Sequence, residues 1–123
     1  MIRDIILVGT GSAIGGIARF LVNRGIALFF TYTFPISTLI VNIVGSFIIG
    51  YLYSASIKQD WITSSALLFL VTGVCGGFTT FSAFSYENIM LIKNGQAPLS
   101  LIYILLSLLL GIGAAVAGFW TGK

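Results

Sequence analysis

Polar and charged side chains punctuate this chain rarely, and where they fall they separate four long apolar runs. Asp, Glu, Lys and Arg are absent from Gly25 to Ile57, from Trp61 to Tyr86 and from Asn94 to Gly122. Each run exceeds the roughly 20 residues that cross a bilayer. A fourth run, Ile5 to Phe30, is apolar apart from Arg19 and Arg24. The pattern predicts an all-α integral membrane fold with four transmembrane helices, over Asp4 to Thr31, Pro35 to Ile57, Trp61 to Lys93 and Pro98 to Gly122. Pro35 and Pro98 stand where a helix opens, because the fixed φ of proline suits the first turn. Trp61 and Trp120 occupy positions where interfacial aromatics anchor a span. The opening run has the apolarity of a secretory signal, but three more spans and no clear cleavage pattern follow it, so it is read as retained.

Composition sharpens this picture. Among 123 residues there are six Lys or Arg, three Asp or Glu and no histidine, while hydrophobic residues make up 58%, so lipid rather than water is the main solvent. A single four-helix domain, residues 1–123, fills the chain, and its expected setting is the inner (plasma) membrane. Without histidine, paired acids or a phosphate loop, the sequence reads as a non-enzyme. Cys75 is the one cysteine, lies among apolar residues and reads as a buried structural thiol. No nucleic-acid partner is expected.

Orientation signals are almost balanced. Four spans place Arg3, Lys58 and Lys123 on one side and Arg24 and Lys93 on the other, with Arg19 deeper in the first span. A Lys/Arg excess normally fixes which way a bundle inserts. Its near absence predicts insertion in both directions and pairing as an antiparallel homodimer about a two-fold axis in the membrane plane. Small residues at four-residue steps, Gly11 and Gly15, Ser46 and Gly50, Gly111 and Ala115, are suited to close helix contacts and carry no transport information by themselves.

Candidate chemistry concentrates in the third run, Gly73-Val74-Cys75-Gly76-Gly77-Phe78-Thr79-Thr80-Phe81-Ser82-Ala83-Phe84. Glycine costs about 1 kcal/mol in a helix relative to alanine, and threonine is also disfavoured. A break at Gly76-Gly77 in mid-membrane is therefore expected, and broken backbone at that depth lines a cavity or holds an ion. The alternative is a close crossing that needs glycine. Phe81 and Phe84 share a helix face, and their positive ring edges are suited to a weakly held anion or simply to packing. Thr38, Asn42 and Ser46 form a polar stripe on the second helix, and Ser100, Tyr103 and Ser107 form another on the fourth. The amide of Asn42 cannot satisfy itself on its own helix as a hydroxyl can. Arg19 is an intramembrane charge and so a functional candidate, and Glu87 is the only acid inside a span.

These residues bring the chain close to a known family. The string GGFTTFSAF, Asn42, a glycine-rich first span with Arg19, and Tyr103 and Ser107 in the last span together resemble the Fluc or CrcB fluoride channels over essentially the whole length. That resemblance implies a dual-topology antiparallel homodimer with two pores, exporting fluoride passively from the cytoplasm. It implies that Asn42, Phe81 and Phe84 line the anion path, with Tyr103 and Ser107 supplying hydroxyls and Arg19 near a vestibule; Thr38, on the stripe of Asn42, is counted with that path. It further implies a structural sodium ion on the two-fold axis, held by the main-chain carbonyls of Gly76 and Thr79. Ala83 and Gly111 depart from the family's hydroxyl pattern. Two other readings are a proton-coupled small multidrug exporter, which would need a carboxylate deep in the bundle, and a noncatalytic membrane assembly subunit.

Overall fold

The computed structural model describes residues 1–30 and 34–123, and among these residues regular structure is entirely helical. Helix α1 is Ile2–Phe29, α2 is Ile36–Ser56, α3 covers residues 64–78, α4 is Phe81–Lys93 and α5 is Ala97–Thr121. Together α3 and α4 make one span, Ser64–Lys93, so that four segments are long and apolar enough to cross a membrane. Observed ends fall within three residues of those expected, except that Thr31, the expected end of the first span, lies outside the described residues. The third span opens at Ser64 rather than Trp61, because the Thr63 hydroxyl accepts the Ala66 N–H at 3.2 Å and caps the helix there. Pro98 sits in the first turn of α5, as its missing N–H allows.

Burial is inverted relative to a water-soluble bundle. Large apolar side chains such as Ile6, Leu28, Phe29 and Leu109 lie on the outside, while Val41 and Tyr103 are the largest fully buried side chains. The buried set includes Thr38, Ser54, Asn88 and Ser100. An apolar exterior of this extent matches hydrocarbon as solvent.

Two close crossings organise the bundle. Helix α1 packs along α3, and α2 packs along α5, while α4 leans on α5. A Cβ built on Gly11 would stand 2.5 Å from the Phe69 carbonyl oxygen, and one on Gly15 would overlap the Val74 carbonyl. At the second crossing, Gly50 faces the Ala115 carbonyl and Gly118 faces the Phe47 carbonyl in the same way. These glycines allow backbone to touch backbone, the contact on which lipid-soluble helices depend in place of a hydrophobic drive. Within α3, Leu68–Cys75 is wound as a π-helix.

The interruption of the third span is displaced from the expected place. Gly76–Phe78 is helical, and the chain leaves the helix at Thr79 (φ −83°, ψ 157°) and Thr80 (φ −153°, ψ 125°). Gly77 is occupied by a crossing: a Cβ there would overlap the Ser12 carbonyl of α1. Glycine in this position therefore holds the helix against its neighbour, and the β-branched threonines take the extended conformation they prefer. Thr79 Oγ1 donates to the Cys75 carbonyl at 2.8 Å, and Thr80 Oγ1 accepts the Ala83 N–H at 3.1 Å, so each side of the interruption is capped.

Candidate functional site

The extended pair Thr79-Thr80 needs hydrogen-bond partners that a helix would have supplied internally. Asn42 of α2 supplies two of them. Thr80 N–H donates to Asn42 Oδ1 at 2.9 Å, and Asn42 Nδ2 donates to the Thr80 carbonyl at 3.1 Å. One side-chain amide thus stands in for a neighbouring strand. The pairing has a second effect: in an unbroken helix the Thr80 N–H would serve the Gly76 carbonyl, and here it is diverted to Asn42. Gly45, five residues before Gly50 on α2, leaves room for the Thr79 methyl, which a Cβ would strike.

Beside this joint opens a groove of about 300 Å³ between α2, the start of α4 and α5. Its polar lining comes from Asn42, Ser46, Thr79, Thr80 and Ser107, and its apolar lining includes Phe81 and Phe84. The Phe81 and Phe84 rings are 5.8 Å apart at 42°, and Phe84 rests on Tyr103 at 5.0 Å and 54°. Phe81 is 78% exposed on the single chain, so the groove is open on that side. Ser107 Oγ is buried and, among the described residues, has no hydrogen-bond partner, which leaves its proton free for a guest. Asn42 Nδ2 has a second N–H beyond the one given to Thr80. Among the described residues, none of those lining the groove carries a charge. Its chemistry is that of neutral donors and ring edges, which attract an anion without trapping it.

Tyr103, Thr38 and Arg19, also expected in the site, are not among the residues that line this groove. Tyr103 is fully buried and donates its hydroxyl to Glu87 Oε1 at 2.9 Å. Thr38 donates to Glu87 Oε2 at 2.7 Å, so both carboxylate oxygens are held by hydroxyls of other helices. Glu87 borders a second cavity of about 250 Å³ together with Phe34 and Met90, and Phe34 meets the Tyr103 ring edge-on at 5.3 Å. Arg19 Nε donates to the Gly77 carbonyl at 3.2 Å, near the C-terminal end of α3, where a cation complements the helix dipole. Sequence reasoning left Ser46 and Glu87 out of its site. Ser46 was signalled by the polar stripe one turn past Asn42, whereas the hydroxyl pair that receives Glu87 comes from α2 and α5 and has no local signature.

Gly76 and Thr79 can be tested as ligands of a hard cation. Gly76 lies on the exposed surface of the chain, and its carbonyl has lost its helical donor to Asn42. Thr79 is extended, so its carbonyl points outside the helical ladder. Oxygen-only donors of this kind suit sodium. Among the described residues there is no cluster of His, Cys, Asp or Glu suited to a transition metal.

Comparison with known proteins bears on the whole chain. A family model described as "CrcB-like protein, Camphor Resistance (CrcB)" matches residues 6–119. A protein of Agrobacterium fabrum named "Fluoride-specific ion channel FluC" is 46% identical over 120 residues, covering 98% of this chain and 96% of its own length. Proteins of the same name from Gloeothece citriformis and Azobacteroides pseudotrichonymphae are 43% and 40% identical, each covering at least 97% of this chain and 95% of its own length.

Proposed function

The chain belongs to the CrcB-like family, and on that footing we propose that it is a passive fluoride channel, not an enzyme. The observation that carries the reading is the groove at the Thr79-Thr80 joint, where neutral donors from α2 and α5 face two phenylalanine rings of α4. In this reading two copies pair antiparallel in the plasma membrane, each pair containing two pores and letting fluoride leave the cytoplasm. The exposure of Phe81 and the near balance of basic residues on the two sides are consistent with a second copy closing the groove.

Fluoride is small and strongly hydrated, so a pore has to replace water with donors that also release the ion. The free N–H of Asn42 and the hydroxyl of Ser107 are such donors, spaced along the groove on different helices. Edges of Phe81 and Phe84 carry partial positive charge and keep the remaining space dry. Fluoride reaching Phe84 is one ring away from Tyr103, whose hydroxyl, with that of Thr38, is shared with Glu87. Exchange of those hydroxyls between carboxylate and ion would carry the anion past. Arg19 holds the end of α3 and adds positive potential near the joint. A sodium ion bound by the Gly76 and Thr79 carbonyls of both copies would tie the two joints together.

The test is release of fluoride from loaded liposomes, read with a fluoride electrode. A passive channel empties them without a proton gradient once counter-charge can move, and Phe81→Ile or Ser107→Ala slows the release. A requirement for a proton gradient, or release that is indifferent to both substitutions, would overturn the proposal.

A further inference from the structure

Helix α4 carries the two phenylalanines of the groove, yet the extended pair before it frees it from the rotation of α3. Something else must decide which way its rings face. Its contacts are chiefly with α5, and in lipid apolar packing alone gives little rotational preference, because a neighbouring tail is as apolar as leucine. Directional hydrogen bonds can supply it: Glu87 of α4 receives those of Thr38 and Tyr103, and a further one lies nearer the Phe84 backbone. One turn beyond Phe84, Asn88 is 8% exposed and Ser100 is 2% exposed. Ser100 Oγ donates to Asn88 Oδ1 at 2.7 Å, and Asn88 Nδ2 donates to the Phe84 carbonyl at 2.9 Å. A continuous path therefore runs from α5 through Ser100 and Asn88 to the backbone of the residue whose ring faces the groove. Ser100 and Tyr103 lie on one face of α5, so the same face that receives the Phe84 ring also holds Asn88.

We propose that Asn88 and Ser100 form a rotational pin that sets the facing of Phe84, and are positioning residues for the anion path although neither lines it. Isolated serines and asparagines in such bundles often act only as glue between helices. A pin differs from glue in one respect: its loss turns a ring that it does not touch. Asn88 and Phe84 stand one turn apart on the same helix, and that rigid turn gives the bond between Ser100 and Asn88 its reach. The geometric part stands on hydrogen bonds alone, and its consequence for conduction rests on the channel reading.

The experiment places 4-fluorophenylalanine at position 84 of the full-length protein in lipid and follows its fluorine resonance, which the Tyr103 ring shifts. Ser100→Ala and Asn88→Leu should each move or broaden that resonance and slow fluoride release from liposomes by about fivefold, between the change expected for an average interhelical hydrogen bond and for the strongest measured. Ser100→Thr keeps the hydroxyl and should restore both readouts. Ser56→Ala, which removes a hydroxyl bonded only to its own helix at Tyr53, should leave both unchanged. An unmoved resonance in Ser100→Ala overturns the pin, whatever happens to release, and a moved resonance with unchanged release overturns its role in conduction. Should Ser100→Ala fail to assemble, Asn88→Leu carries the same comparison, since it too removes the bond between Ser100 and position 88, and an unmoved resonance there overturns the pin. If the unsubstituted protein releases no fluoride, the channel reading fails while the resonance still decides the pin.

Discussion

Replacing Asn42 by alanine deletes both hydrogen bonds that hold Thr80 in its extended form. Hydrogen bonds between membrane helices are worth ~0.6 kcal/mol on average and up to ~1.7, so the pair contributes ~1–3 kcal/mol to the joint. With a tenfold change for each ~1.4 kcal/mol, the closed joint should lose about 5- to 140-fold in population against opened alternatives. Amide hydrogen exchange at Thr80, measured by NMR in lipid nanodiscs, reads that ratio directly, and Thr80 should exchange faster by the same factor. Fluoride release should fall alongside it. Asn42→Asp keeps an acceptor for the Thr80 N–H and should therefore protect that amide better than alanine does. Unchanged exchange at Thr80 in Asn42→Ala would refute the clamp. Lost conduction with unchanged exchange would assign Asn42 to the ion alone.

Gly15→Ala should lower the thermal stability of the bundle in detergent, because its Cβ overlaps the Val74 carbonyl and such overpacking costs ~1–3 kcal/mol. Gly9→Ala, whose Cβ meets nothing within 4 Å in the single chain, should leave the monomer fold as stable as before; circular dichroism on heating separates the two. Tyr103→Phe keeps the ring stack on Phe84 but removes one hydroxyl from Glu87, and should slow fluoride release about tenfold, a loss of ~1.5 kcal/mol at the low end for a hydrogen bond to a charged group. Replacing sodium on both sides of the membrane by a large organic cation should weaken the paired assembly, as seen by single-molecule photobleaching or cross-linking; an unaffected dimer would remove Gly76 and Thr79 from any cation site.

The four spans were legible because bilayer thickness imposes one length and one polarity on any segment that crosses it, and the charge-free runs around Ile40, Leu70 and Leu105 satisfy both. The polar stripes were legible too, since Thr38, Asn42 and Ser46 repeat at the period of the helix that carries them. Sequence also located an interruption in the third span, but assigned it to Gly76-Gly77. That error has a physical source: a glycine that weakens a helix and a glycine that lets another helix touch it look alike in one dimension. Only the crossing with Ser12 of α1 decides that Gly77 is of the second kind, which leaves the extended turn to the threonines.

Partner choice was likewise beyond the sequence. Periodicity says that Asn42 wants a hydrogen bond, yet cannot say that both backbone groups of Thr80 receive it, or that Thr38 and Tyr103 converge on Glu87 from different helices. Those pairings depend on the rotation and depth of each helix against the next, set by backbone contacts at Gly11, Gly15, Gly50 and Gly118. The chain by itself determined which segments enter lipid and which of their residues carry polar groups. Tertiary structure decided which of those groups meet, because in hydrocarbon a polar group takes whichever partner the helix crossings bring within reach.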